Sequence, residues 1–167
     1  TDETDALVRS VPATWTMGLL EPGDWSARWI AADPEILRRD PQAIAPTLID
    51  CGTPGVFIRN VTLPAAPKRA VLYATARGLL DLKIGSQRVT EDLFAPEWTD
   101  YFKRIHYRTY DVTSLLKAGP NPLSATLGDG WWSGYVGWQE TRGRYGSLEN
   151  SLCLQLEIEH ADGTRET

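Results

Sequence analysis

Two stretches concentrate side chains whose chemistry is suggestive. Phe94-Ala95-Pro96-Glu97-Trp98-Thr99-Asp100-Tyr101 carries three rings and two carboxylates and has no period of its own, so it reads as a loop. Leu127-Gly128-Asp129-Gly130-Trp131-Trp132-Ser133-Gly134-Tyr135-Val136-Gly137-Trp138 sets four large rings among four glycines. Glycine lets a backbone turn sharply or approach another group closely. Aromatic faces beside carboxylates suit a sugar, whose C–H faces stack on rings while its hydroxyls bond to the carboxylates. The candidate sugar-facing residues are therefore Trp98, Asp100, Tyr101, Asp129, Trp131, Trp132 and Trp138. The competing reading is that these rings cap one end of a hydrophobic core. Adjacent residues of an extended chain point to opposite faces. One of Trp131 and Trp132 then serves the core, and the wet side is assigned to Trp132.

Other chemistries find less support. Asp100 and Asp129 would form a hydrolytic dyad only if held about 5–10 Å apart across a scissile bond, and catalysis within this chain is not expected. Ser133 lies in Trp132-Ser133-Gly134, which is no nucleophile elbow. His106 sits in an alternating run, where a structural role is the simpler reading. Gly128-Asp129-Gly130 matches neither a phosphate loop nor a dinucleotide fingerprint. Cys51 and Cys153 have no CxxC neighbour and no metal-type spacing to His106 or His160. They read as two buried thiols or as one bridge between paired strands, and zinc is not expected.

The elements that must position these loops are strands. Val56–Leu63, Ala70–Ala76, Leu79–Ile84, Ile105–Val112, Leu123–Leu127 and Ser151–His160 alternate or are rich in β-branched residues. Gly85-Ser86 supplies a two-residue hairpin turn back to Arg88-Val89. Arg77-Gly78 breaks one strand from the next. Ser114–Lys117 reads as a single helical turn capped by Thr113 and stopped by Gly119-Pro120. Ala13–Met17 alternates weakly, Pro34–Arg39 fits one helical turn, and the rest of 33–46 reads as surface loop. Short strands, turn chemistry and no long helix predict an all-β fold, an antiparallel β-sandwich of jelly-roll type. Ala161-Asp162-Gly163-Thr164 is a turn that should open a further strand.

At 167 residues the chain fits one ordinary domain, with 42% apolar and 23% charged residues. The formal charge is −5 without a basic block, which argues against a nucleic-acid partner. No apolar run approaches the roughly 20 residues that span a bilayer, so no membrane partner is expected. Seven Trp and six Tyr against three Phe favour rings with a polar edge, suited to half-wet surfaces. The compartment stays open among cytoplasm, periplasm and secretion.

Several motifs together resemble the N-terminal β-sandwich domain of bacterial α-L-rhamnosidases of glycoside hydrolase family 78. They are Trp25-Ser26-Ala27-Arg28-Trp29-Ile30, Leu72-Tyr73-Ala74-Thr75-Ala76-Arg77-Gly78, Pro96-Glu97-Trp98-Thr99-Asp100-Tyr101, Tyr107-Arg108-Thr109-Tyr110-Asp111-Val112-Thr113 and Leu127-Gly128-Asp129-Gly130-Trp131-Trp132-Ser133-Gly134. The resemblance covers about residues 19–167. It implies a parent enzyme that hydrolyses terminal α-L-rhamnosyl groups with inversion, through carboxylates in a separate (α/α)6 barrel downstream. This chain would then be a non-catalytic accessory piece of a longer polypeptide. Residues 1–24 would be a linker or the tail of a preceding domain, and 25–167 the sandwich. Its partners would be a rhamnose-containing glycoside or polysaccharide and the barrel of the same polypeptide. Two departures stand out. The family's hairpin turn is usually Asn-Gly, and here it is Gly85-Ser86. Rhamnose-binding relatives (carbohydrate-binding module family 67) use calcium with an Asp-Asn pair near the start of the hairpin strand, where this chain has Ala76-Arg77. A calcium site is therefore not expected there, and no cofactor is expected. The alternatives are a purely structural spacer, which would bury the Trp rings, and a free-standing lectin-like module.

Overall fold

A computed structural model describes residues 9–13, 15, 17–32, 54–136, 145 and 150–167. The helical turn expected at Pro34–Arg39, Cys51 and Trp138 lie outside the described residues. Two antiparallel sheets make a sandwich, as the strand pattern predicts. The strands, in order, are β1 Ile30–Ala31, β2 Gly55–Leu63, β3 Arg69–Arg77, β4 Leu79–Ile84, β5 Gln87–Arg88, β6 Tyr107–Asp111, β7 Gly119–Gly128, β8 Ser151–Glu159 and β9 Arg165–Glu166. One sheet runs β1-β8-β3-β6, with β9 also on β8, and the other runs β2-β7-β4-β5.

Most of these strands are the expected ones. The turn at Gly85-Ser86 forms, with Gly85 at φ 61°. The turn after β8 opens β9, which pairs with Ile158 and Glu159. β7 begins earlier than its sequence suggests, at Gly119 rather than Leu123. Pro120 and Pro122 lie where β7 pairs with β2 alone, because β4 pairs only with residues 123–128. A proline lacks the N–H that a second neighbour would need, so this one-sided stretch tolerates it. Ala13, Trp15 and Met17 are in no regular structure. The turn after β6 is a 3-10 turn over Thr113–Leu115, not capped by Thr113. Thr113 Oγ1 instead accepts from Ala70 N at 2.9 Å, and Asp111 Oδ1 accepts from Thr113 N at 3.0 Å.

Period-two alternation places the core between the sheets. Leu72, Ala74 and Ala76 of β3 and Leu152 and Ile158 of β8 meet Leu80, Leu82 and Ile84 of β4 and Leu123, Ala125 and Leu127 of β7. β3 is buried on both faces, because residues 18–29 cover the outer face of its sheet. Trp25 packs edge-on against Tyr73 at 6.4 Å and Tyr107 at 5.5 Å. Gln155 Oε1 accepts from Ser26 N at 2.7 Å and Ala27 N at 3.2 Å, and its Nε2 donates to Asp24 O at 2.9 Å. Tyr107 donates its hydroxyl to Leu19 O at 2.9 Å, and a Cβ on Gly18 would stand 2.0 Å from the Tyr107 hydroxyl oxygen. Residues 18–24 are thus tied to the sandwich.

Candidate functional site

One end of the sandwich collects the candidate residues. β3 ends there, β4 begins, β7 ends and β8 starts, since Arg77 pairs with Ser151 and Leu79 with Gly128. A one-turn helix, α1 (Gly130–Ser133), follows β7. Gly130 turns the chain at φ 52°, where a Cβ would come within 2.5 Å of Leu79 Cγ. The 92–104 loop closes on the same end, and Leu80 N donates to Ala95 O at 2.8 Å. Phe94 and Glu97 of this loop adopt φ 61° and 86° without being glycine. Such backbone costs energy and persists only where surroundings impose it, often beside binding sites. Here Ala95 and Pro96 are buried and Glu97 N donates to Phe94 O at 2.7 Å.

The two aromatic loops meet through their rings. Trp98 stacks on Trp131 with centroids 6.0 Å apart and planes 6° apart, and Phe94 meets Trp131 edge-on at 5.8 Å. Trp98 is 54% exposed and Phe94 60%, so the stacked pair keeps an open aromatic face. Trp132, by contrast, is buried, packing against Tyr101 at 5.4 Å and Tyr145 at 6.0 Å. The expected assignment of Trp132 to the wet side is therefore reversed. Residues 130–133 are helical, so neighbours diverge by about 100° rather than alternating. Trp131 then turns to the half-exposed side and Trp132 inward.

The remaining candidates separate. Tyr101 is buried and donates its hydroxyl to Glu97 O at 3.3 Å. Desolvation by burial, then the neighbouring Tyr145, push its phenol above the usual value. Asp100 stays at the surface, paired with Lys103 Nζ at 3.0 Å. Glu97 pairs with Arg108. Asp129 belongs to a part-buried network: the Ser133 hydroxyl donates to Asn150 Oδ1, and Asn150 Nδ2 donates to Asp129 Oδ1 at 2.8 Å. The two aspartates thus have different surroundings, one solvated and one structural.

In the sequence Arg77 reads only as the break after a strand. Its guanidinium lies over the Trp29 ring at 4.8 Å and the Trp132 ring at 5.4 Å. No local sequence signal joins Arg77 to Trp29 and Trp132, because the contacts are made by long-range pairing. Ala76 is buried in the core and Arg77 brings a cation, so this pair offers calcium none of the six to eight oxygens that it takes. Among the described residues, no group of three or more His, Cys, Asp or Glu could hold a metal ion. Cys153 is a buried thiol, raised above its usual pKa by desolvation.

The sequence model of the α-L-rhamnosidase N-terminal domain matches residues 65–167. The chain belongs to this family. An α-L-rhamnosidase of Streptomyces avermitilis is 49% identical over 98 residues, covering 59% of this chain and 9% of that protein. An α-L-rhamnosidase of Formosa agariphila is 33% identical over 150 residues, covering 89% of this chain and 16% of the relative. The crystal structure of the native α-L-rhamnosidase from Aspergillus terreus superposes with a TM-score of 0.76 at 36% identity, covering 89% of this chain and 16% of that one. That of the Streptomyces avermitilis enzyme complexed with L-rhamnose gives 0.62 at 45% identity, over 66% of this chain and 11% of the other. This rhamnosidase N-terminal domain thus spans under a fifth of the length of these relatives. Trp98, Trp131, Trp132 and Arg77 all fall within the matched residues.

Proposed function

We propose that this chain is a non-catalytic accessory domain of an α-L-rhamnosidase, and that its Trp98–Trp131 pair helps hold the rhamnose-containing glycan. The observation that carries this reading is the open face of that stacked pair, with the surface carboxylate Asp100 two residues along the chain from Trp98. A sugar ring presents C–H bonds to an indole face, and a carboxylate accepts its hydroxyls. Trp132, Tyr101 and Asp129, which are buried or held in a local network, serve the packing that positions the platform. Cleavage of the rhamnosyl bond belongs to a barrel of the parent polypeptide outside this chain.

The purified chain should release no nitrophenol from a nitrophenyl α-L-rhamnoside. The same glycoside should quench its tryptophan fluorescence saturably. Turnover above a heat-killed control would overturn the first half, and unchanged fluorescence the second. A purely structural spacer is favoured by one observation, the burial of Trp132 against Tyr101. That role and sugar contact by Trp98 are compatible, because the two tryptophans face different ways.

A further inference from the structure

The Arg77 side chain makes no ion pair and no hydrogen bond to any described residue, although the residue is half-buried. Among the described residues its guanidinium is flanked by two indoles, Trp29 and Trp132. Nε is sealed from solvent with no acceptor. Across the strand pair stands Ser151, 7% exposed, whose hydroxyl is also buried and unpartnered. A buried polar group left unmatched is costly, and such groups in a native fold call for an explanation. An arginine held between two indoles and lacking a carboxylate among the described residues is preorganised for bidentate capture of a planar oxyanion.

The surroundings say what carries that anion. The next outward-facing cross-strand pair along β3 and β8 is Thr75 and Cys153. Both line a hollow of about 200 Å³ walled by Trp25, Trp29 and Tyr107. Trp29 therefore belongs to the hollow and to the arginine clamp at once. The volume is below the roughly 300–1,000 Å³ of drug-sized sites and suits a single ring. Thr75 donates to His106 O at 2.6 Å and Tyr107 to Leu19 O at 2.9 Å, so each hydroxyl oxygen keeps capacity to accept from a sugar hydroxyl.

We propose that Arg77, Trp29 and the adjoining hollow form a subsite for a uronic acid residue, its carboxylate on the Arg77 guanidinium and its ring in the hollow. This site is separate from the Trp98–Trp131 platform and selects acidic glycans. The terminal nitrogens of Arg77 take the carboxylate in a fork, and the indoles keep the fork from swinging away.

The test is titration of the ¹⁵N-labelled chain with glucuronic acid at neutral pH, reading the Arg77 Nε–H and the Trp29 and Trp132 indole N–H signals. The expected result is saturable shifts of all three, absent with the neutral isostere glucuronamide. Arg77→Met should weaken the response by at least about tenfold, the loss of a charge-assisted contact. Arg77→Lys, which keeps the charge without the fork, should also weaken it, but less. If Arg77→Met does not fold, the comparison of glucuronate with glucuronamide on the unaltered chain still decides. Equal shifts with glucuronamide, or no saturable shift, would overturn the proposal. So would acetate binding as tightly as glucuronate, the behaviour of a socket for an aspartate or glutamate side chain of the parent polypeptide. Rhamnoside quenching through Trp98 is read on different rings, so either reading can fail alone.

Discussion

Trp98 and Trp131 come from different loops yet lie face to face, 6.0 Å apart at 6°. Trp132, the next residue in the chain, is buried against Tyr101. One turn of helix therefore divides two adjacent indoles between surface and interior.

That division sets unequal costs for the same substitution. Trp132→Ala removes a core ring and should destabilise by about 3–5 kcal/mol. Trp98→Ala loses one stacked contact on a ring already half in water and should cost about 0.5–1.5 kcal/mol. Urea melts of the two variants check this. Equal midpoints would place both rings in the core.

Gln155 ties the segment over the outer face of β3 and β8 to the sandwich. Gln155→Leu removes the acceptor of the Ser26 and Ala27 amides and the donor to Asp24 O. The expected loss is about 1–3 kcal/mol, from polar groups left without partners. Hydrogen exchange at Ser26 and Ala27 should accelerate far more than at β7 amides. Uniform acceleration would mean that the segment and the sandwich open together.

Two glycines with positive φ should respond differently to alanine. At Gly78, φ is 134° and a Cβ would stand 2.4 Å from Gly128 O, whereas at Gly85, φ is 61° with nothing within 4 Å. Gly85→Ala should cost about 1–2 kcal/mol, the left-handed penalty alone. Gly78→Ala adds a backbone clash at the junction of β3 and β4 and should cost more. Thermal melts of the pair give the order, and a milder Gly78→Ala would contradict it.

Hydrogen bonds from Thr113, side chain and then backbone, hold the Asp111 carboxyl below its ordinary range. The folded state therefore releases this proton more readily than the unfolded chain. The resulting stabilisation is full above about pH 4 and fades as pH falls through the lower folded value. Asp111→Asn should flatten part of the loss of melting temperature below about pH 4. An unchanged acid slope would remove Asp111 from the account.

Much of this fold was legible because burial on one face of a sheet writes a period of two into β4 and the later part of β7, while β2, β3 and β8 show as apolar or β-branched runs bounded by turns. The start of β7 was not legible, since Pro120 and Pro122 are permitted only by the absence of a second neighbour there, a fact of topology. The four residues of α1 are too few to show a helical period, so the extended-chain rule reversed Trp131 and Trp132. Both aromatic loops were visible as clusters, and their meeting at one end followed from the strands that bear them. The Arg77 clamp and the Gln155 tie were hidden. Each joins residues far apart in sequence, and nothing local marks an arginine that will lie between two indoles.

The most direct measurement is titration of the ¹⁵N-labelled chain with methyl α-L-rhamnoside, following the indole N–H signals. The account predicts saturable shifts centred on Trp98 and Trp131, little movement of Trp132, and loss of the Trp131 shift in Trp98→Ala with the fold retained. Shifts that bypass Trp98 and Trp131, or no saturable shift at all, would contradict a role for this domain in holding the rhamnosyl substrate.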